Sequence, residues 1–531
     1  MATNRTDGGG PNPGAERPKP VRLNEPSPLR GANGIAFGPD GTLHVAQFLT
    51  GRISAVDTTS GEVGVVVPPG SPVLTPDDIA FTPDGTMYVA DVAPGRVWRR
   101  SPDEEIHLVT DALVAPNGIT CLGDRIFVNE MRDGGGLFEL FPGGGEPVPL
   151  TEGLAHGNAM QFGPDGLLYY PHMMTSEVRR IPPEGGEPEL VASGMPVPVA
   201  VRFDLAGKLF VLSCDPAGTI TRVDRVTGRT SSFATGVPGL DNAAFDADNR
   251  MFVSSFVRGS ITELGERGSA RTVVPAGLNG PFGTTVDPTG RVYVADHFGL
   301  SGLSESGGLD QVDVVGGTLP SLPRNVVATG EVLQLATAGG ELHAYDPVRG
   351  TSRRRVAGLG ELVGMAVDPG GRVVLAAPGS GRVLSVDETD AVRVLAEGLE
   401  HPVGVALDED GRCYVSDDRL GRVLRLDAEP VVVLDGLDAP QGIAVSGGEL
   451  FVVEAGHRRL RRFDPETGWS STEVADLAVE TLPGVDGTGP DGSGRPSPFA
   501  DLVVSGDGSL LLAANGEGSV LSLRIRAEGT G

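Results

Sequence analysis

Cysteine is nearly missing from this chain of 531 residues: only Cys121, Cys214 and Cys413 occur, far apart and without a Cys-x-x-Cys pair. An odd number at such spacing excludes a disulfide framework and a zinc knuckle, and points to a reducing, cytoplasmic setting. No apolar run approaches the ~20 residues that cross a bilayer. The first residues, Met1 to Pro28, are rich in Gly, Pro, Asn and Arg and lack an apolar stretch, so they read as a flexible arm rather than a signal peptide. Positive charge is also short. With 42 Lys and Arg against 70 Asp and Glu the formal net charge is -28, which opposes binding to nucleic acid or to an anionic membrane surface. Only two tryptophans occur, Trp98 and Trp469, too few for a Trp-Asp repeat or for a propeller that docks a quinone on repeated tryptophans.

Glycine, by contrast, is abundant, at 79 residues, and it is spaced. A polar residue followed by Gly-Ile-Ala-Phe, a Pro-Asp-Gly turn and an alternating apolar strand recurs along the chain. It reads Asn33-Gly34-Ile35-Ala36-Phe37 before Asp40-Gly41, then Asp77-Asp78-Ile79-Ala80-Phe81 before Asp84-Gly85. Further copies open at Asn117, Asn158, Val199, Asp241, Phe282, Arg324, Val363, Val403, Gln441 and Ala500. Asp-Gly supplies the positive φ of a tight hairpin, and period-two alternation gives each strand one buried face. A third strand follows, as in Gly421 to Asp427, and a fourth, as in Val392 to Leu395. Spacings near ~40 residues are those of a propeller blade, and rings hold 4–8 blades. The fold expected is therefore all-β: two tandem six-bladed β-propellers of four-stranded antiparallel blades. The arm would span 1–27, the first propeller 28–277 and the second 278–526. Two insertions are expected, at 299–320 and 482–498.

The first strand of a blade lines the channel, and its opening residue stands at one mouth. In the first ring those residues are Asn33, Asp77, Asn117, Asn158, Val199 and Asp241, five of six with side-chain oxygens. In the second they are Phe282, Arg324, Val363, Val403, Gln441 and Ala500. Calcium takes 6–8 oxygen ligands in loose geometry, so the first set suits Ca²⁺, or Mg²⁺ in its place, and the second does not. Asn and Asp also favour strand entries for local backbone reasons, yet that habit does not explain why only one ring has them. Asp78 and Asn242 are placed to orient the ligands. The second strand returns to the same mouth and ends, in the first ring, at Gln47, Asp91, Glu130, His172, Ser213 and Ser255. Among these Glu130 and His172, with His156 nearby, are the candidate acid/base groups beside a metal.

The Asn117-Gly118-Ile119 entry, the Asp241-Asn242 pair and the single polar ring resemble the gluconolactonase/regucalcin superfamily, which includes the paraoxonases. That resemblance implies a catalytic divalent cation held by Glu, Asn and Asp from different blades, and hydrolysis of lactones or related esters. Carried across, Asn117 and Asn158 match the consecutive Asn ligands, and Asp241 with Asn242 looks like an Asp-Asn ligand pair. No Glu opens a blade, so Asn33 or Asp77 would stand in. Phrases such as Gly421 to Asp427 are also similar to streptogramin lyases and NHL-repeat proteins. The first similarity implies a metal-dependent C–O lyase that would use Glu130, His156 and His172. The second implies a non-enzymatic scaffold, with a protein partner on the second propeller. The expected ligand is a small molecule, a lactone or cyclic ester.

Overall fold

Hairpin turns set the local structure. In the first repeat the amide of Gly41 donates to the carbonyl of Gly38 and the amide of Gly38 to that of Thr42, with Gly41 at φ +80°. Asp40 accepts from the amide of Thr42 at 3.0 Å. The same turn at Asp84-Gly85 has Gly85 at φ +89°. Such turns join strands of about five residues into twelve four-stranded antiparallel sheets, counted among the described residues. The computed structural model describes residues 19–265, 269–304, 306–314, 317–319, 322–480, 484–486 and 495–525. No α-helix occurs among them.

Blades 1 to 6 begin at Ala32, Pro76, Pro116, Gln161, Pro198 and Leu240, and blades 7 to 12 at Gly283, Pro323, Met365, Pro402, Pro440 and Leu502. Apolar faces pack blade on blade. Phe127 and Leu137 of blade 3 meet Tyr170 and Ile181 of blade 4 in one such layer. The layers also close the two circles. Ile35 and Val45 of blade 1 pack on Phe252 and Ile261 of blade 6, and Val294 of blade 7 packs on Leu511 and Val520 of blade 12. Six plus six is therefore the division.

The glycine of the repeat phrase has a steric cause. A Cβ on Gly118 would lie 2.1 Å from the carbonyl oxygen of Asn158, and one on Gly404 would lie 2.2 Å from that of Gln441. Real contacts are far longer, so the residue after the opening position must be bare wherever inner strands converge this closely.

Two expectations change. The stretch 299–320 is not an insertion: Gly299–Leu303 and Leu309–Val314 are the third and fourth strands of blade 7. The loop 482–498 is described only at 484–486 and 495–498, and the first 18 residues of the expected arm lie outside the described residues. Within the remainder of the arm, Val21–Arg22 is a strand, and it pairs with Ser519–Leu523 as the outermost strand of blade 12. Leu23 donates its amide to the carbonyl of Val520, and Asn24 accepts from the amide of Val520 at 2.9 Å while donating to the carbonyl of Gly518. The second propeller is therefore discontinuous. One of its strands precedes the first propeller in the chain, and the rest of it follows.

The second ring's channel holds Asp501, which accepts from the amide of Thr284 at 3.3 Å. Burial pushes its carboxyl up to about 7, against hydrogen bonds that favour the charged form. A carboxyl held above its unfolded value keeps a proton in the native chain that the unfolded chain has lost. Its contribution is thus fully present below about pH 4 and is lost as pH rises through about 7. Asp501→Asn should raise the thermal midpoint at pH 8 relative to wild type and leave it unchanged near pH 4, as read by calorimetry at both values.

Candidate functional site

The six opening residues of the first ring converge, as their register requires. Asn33, Asp77, Asn117, Asn158, Val199 and Asp241 together line one cavity of about 240 Å³. All six are buried, Asn117 to 1% exposure. Asn33 Nδ2 donates to Asp77 Oδ2 at 3.2 Å. Asn117 Nδ2 lies 3.3 Å from the sulfur of Met131, and Asn158 Nδ2 lies 3.3 Å from that of Met173. These contacts aim amide oxygens elsewhere: Asn33 Oδ1 and Asn117 Oδ1 are buried without a hydrogen-bond partner. Asn158 differs, since its Oδ1 accepts from the amide of Ala159 at 2.7 Å.

Beneath the ring a second polar layer crosses the channel. Asn242 Nδ2 donates to Asp78 Oδ1 at 3.0 Å, and Asp78 also accepts from the amides of Ile79 and Ile119. Arg202 closes the layer: its guanidinium lies 3.8 Å from Asp78 Oδ2 and donates to the carbonyls of Ala243, Met160 and Val201. Asp78 and Asn242 thus meet, as their place beside the openings suggested.

Three buried carboxyls crowd together here, and the Arg202 guanidinium acts on two of them, Asp78 and Asp241. Burial, then repulsion from Asp78, pushes the Asp77 carboxyl up to about 7, while hydrogen bonds from Asn33 and Asn117 work the other way. Asp241 is pushed well above the ordinary carboxylate range by burial and then by Asp77 and Asp78, with Arg202 opposing. A dication at this level would relieve that repulsion. Among the described residues no group of three or more His, Cys, Asp or Glu stands together to hold a metal. The donor set is instead mixed: two carboxylates, Asp77 and Asp241, with the amide oxygens of Asn33 and Asn117. Such mixtures suit Ca²⁺ and leave positions for water or substrate. All five expected ligand positions, Asn33, Asp77, Asn117, Asn158 and Asp241, line this cavity, and the side-chain oxygen of Asn158 is turned to the amide of the next residue.

The expected acid/base trio is not brought to this ring: none of Glu130, His156 and His172 lines the cavity. Several residues at the end of the second strand turn back to the linker that enters their own blade. Glu130 accepts from the amides of Val114 at 2.8 Å and Gly136 at 3.0 Å and from Arg132. Asp91 does the same for Leu74 and Thr75, and Gln47 for Arg30. In the second ring Asp296 and Glu454 repeat it with Asn279 and Asp438. Buried linker amides need acceptors, and this position supplies them. His172 follows the pattern, its Nδ1 3.4 Å from the amide of Ala155. His156, at φ +57°, lies 3.4 Å from Asp133 on the rim.

What faces the cavity is the next residue along. Phe48, Val92, Met131, Met173, Cys214 and Phe256, one from each blade, form a collar above the oxygen ring. The sequence carried this signal one position past the polar strand end. Cys214, a free thiol, is pushed up to about 12 by burial and is no nucleophile.

The roof comes from the other propeller. His297, Phe298 and Leu322 line the same cavity. Phe298 meets Phe256 edge to face at 4.7 Å, and His297 stacks on Phe282, over which Arg324 lies at 4.7 Å. Phe282, Val403 and Phe499, with Val363 against them, fill the mouth of the second ring. Burial, then Arg324 and Arg495, holds the His297 imidazole well below its ordinary pKa, so it is neutral. Arg495 crosses to the carbonyl of Leu74 at 3.1 Å, and Asn279 accepts from the amide of Gly31 at 2.7 Å. The two mouths thus abut.

No protein-family profile matches the chain, and no curated protein matches it. Solved structures do. A streptogramin B lyase is similar at 18% identity over 53% of this chain and 95% of that one, with a TM-score of 0.38. A gluconolactonase of Xanthomonas campestris is similar at 16% identity over 46% and 93%, with a TM-score of 0.38. The extracellular domain of a hybrid two-component system from B. thetaiotaomicron is similar at 11% identity over 97% and 84%, with a TM-score of 0.34. At these TM-scores the likenesses carry no argument about the site.

Proposed function

We propose that the first propeller is a divalent-cation-dependent hydrolase of lactones or related small esters. The observation that supports this reading is the oxygen ring: Asp77 and Asp241, raised by burial and then by neighbouring carboxyls, beside the unpartnered oxygens of Asn33 and Asn117. Calcium bound there would polarise an ester carbonyl and stabilise the oxyanion that forms. The residues of the chain do the rest. Asp77 and Asp241 hold the charge, Asp78 and Asn242 bond to each other beneath them, and the collar excludes bulk water. His297, kept neutral, offers an imidazole nitrogen that accepts a hydrogen bond from water at the roof. A lyase would need Glu130, His156 or His172 at the reacting atoms, and none of them lines the cavity.

The test is a panel of lactones and cyclic esters incubated with the calcium-loaded chain and analysed by product mass. Hydrolysis gives a hydroxy acid, heavier than substrate by one water. An unsaturated product of unchanged mass would replace the hydrolase reading by elimination. No turnover with calcium, magnesium or manganese would remove both.

A further inference from the structure

We infer that the second propeller is part of the first one's binding site. With the collar it selects a ligand with a compact apolar body and a single polar end, rather than a polyhydroxylated one. This inference rests on the proposed site, yet it concerns a different part of the cavity. Above the oxygen ring the walls are Phe48, Val92, Met131, Met173 and Phe256, and the roof adds Phe298 and Leu322. Hydroxyl groups against these side chains would lose water without gaining partners, and each such loss weakens binding. The polar groups are confined to the floor and to one roof residue, His297. A ligand must therefore carry its polar end downward and its hydrocarbon upward.

Size follows from the same walls. At about 240 Å³ the cavity is smaller than the ~300–1,000 Å³ usual for drug-sized ligands, so the apolar body is a short alkyl chain or one ring. The roof is held as firmly as the walls. Phe298 is gripped by Phe256 across the interface, at 4.7 Å between ring centroids, and by His297 at 4.5 Å. The second ring's own mouth is packed with Phe282, Val403 and Phe499, which makes it a cover for its neighbour.

Two measurements on the full chain loaded with calcium decide the matter. The first compares kcat/KM for a γ-lactone bearing a short alkyl chain with that for glucono-δ-lactone. The second titrates the same two compounds calorimetrically, so that binding is read even without turnover. The alkyl lactone should be favoured in both. Leu322→Ala and Phe298→Ala should each weaken it about tenfold or more, within the ~10–200-fold spread that one apolar pocket contact commands. The calcium-induced rise in unfolding temperature should stay as in wild type. Preference for the polyhydroxylated lactone, or an alkyl preference untouched by both substitutions, would overturn the inference and leave the hydrolase reading standing. Tight alkyl-lactone binding without turnover would overturn the hydrolase reading and leave this one. Absence of binding by either compound would end it.

Discussion

Calcium added to the metal-free chain should stabilise it by about 2.7 kcal/mol at one hundred times Kd, and Asp241→Asn should abolish that gain. The same substitution should make the metal-free protein more stable than wild type at pH 8. The two effects have one origin. Burial, Asp77 and Asp78 press the Asp241 carboxyl to hold its proton. The native chain therefore binds more protons than the unfolded chain above about pH 4, and stability falls as pH climbs. An amide at this position removes the repulsion and, with it, the charge that attracts a dication. Gain of apo stability together with loss of cation response is not what a damaged fold would give. Thermal unfolding with and without calcium, at pH 6 and pH 8, reads both signs. A wild type that ignores calcium, or an Asp241→Asn chain that still responds, would remove the metal from the site. Sites that combine function with internal repulsion commonly exchange stability in this way.

Truncation at Glu25 should unfold the second propeller well before the first. The deletion strips Val21–Arg22 from blade 12 and leaves the amide of Val520 and the carbonyl of Gly518 without Asn24. Each buried orphan costs about 1–3 kcal/mol, and exposure of the apolar layer that includes Leu23 adds to it. The exposed pair of Arg22 with Glu517 at 2.7 Å adds at most about 1 kcal/mol. Calorimetry should split into two transitions, with the lower one several degrees below that of the intact chain. Hydrogen exchange should speed up at Ser519–Leu523 and not in the inner strand Ala32–Phe37. A truncated chain ending its deletion at Pro18 should behave as wild type. Superposable melting curves for the Glu25 truncation and the intact chain would show that the strand closes nothing.

Blade number, strand order and the converging openings were all legible in the sequence, because each depends on local patterns: Asp-Gly hairpins, period-two alternation and a glycine where backbones nearly touch. The contrast between Asp241 and Ala500 at equivalent positions was legible for the same reason. Two of the acid/base candidates, Glu130 and His172, stand one residue before the side chains that line the cavity. Glu130 and His172 carry the chemistry a reader looks for, but linker amides lie against both side chains, and the cavity is given to Met131 and Met173 beside them. His297 follows the second strand of blade 7, and nothing local in the sequence says that its ring faces the other propeller. Packing of one mouth on the other is a property of two surfaces, as is the pairing of Val21 with Ser522. Neither leaves a periodic trace.

The interleaved path has a consequence for synthesis. The first propeller is complete once its sixth blade has been made, and its closing contacts lie within its own span. The second propeller cannot close until its last blade meets a strand made before the whole of the first propeller, with Arg22 and Glu517 separated by 495 positions. At ~5–20 residues per second the first strand waits roughly half a minute to more than a minute for its partner. Throughout that interval a growing stack of blades carries an open edge, the kind of surface on which chains of the same sequence find one another first. The finished first propeller, tethered a few residues from that waiting strand, keeps it close to the place where the stack must end.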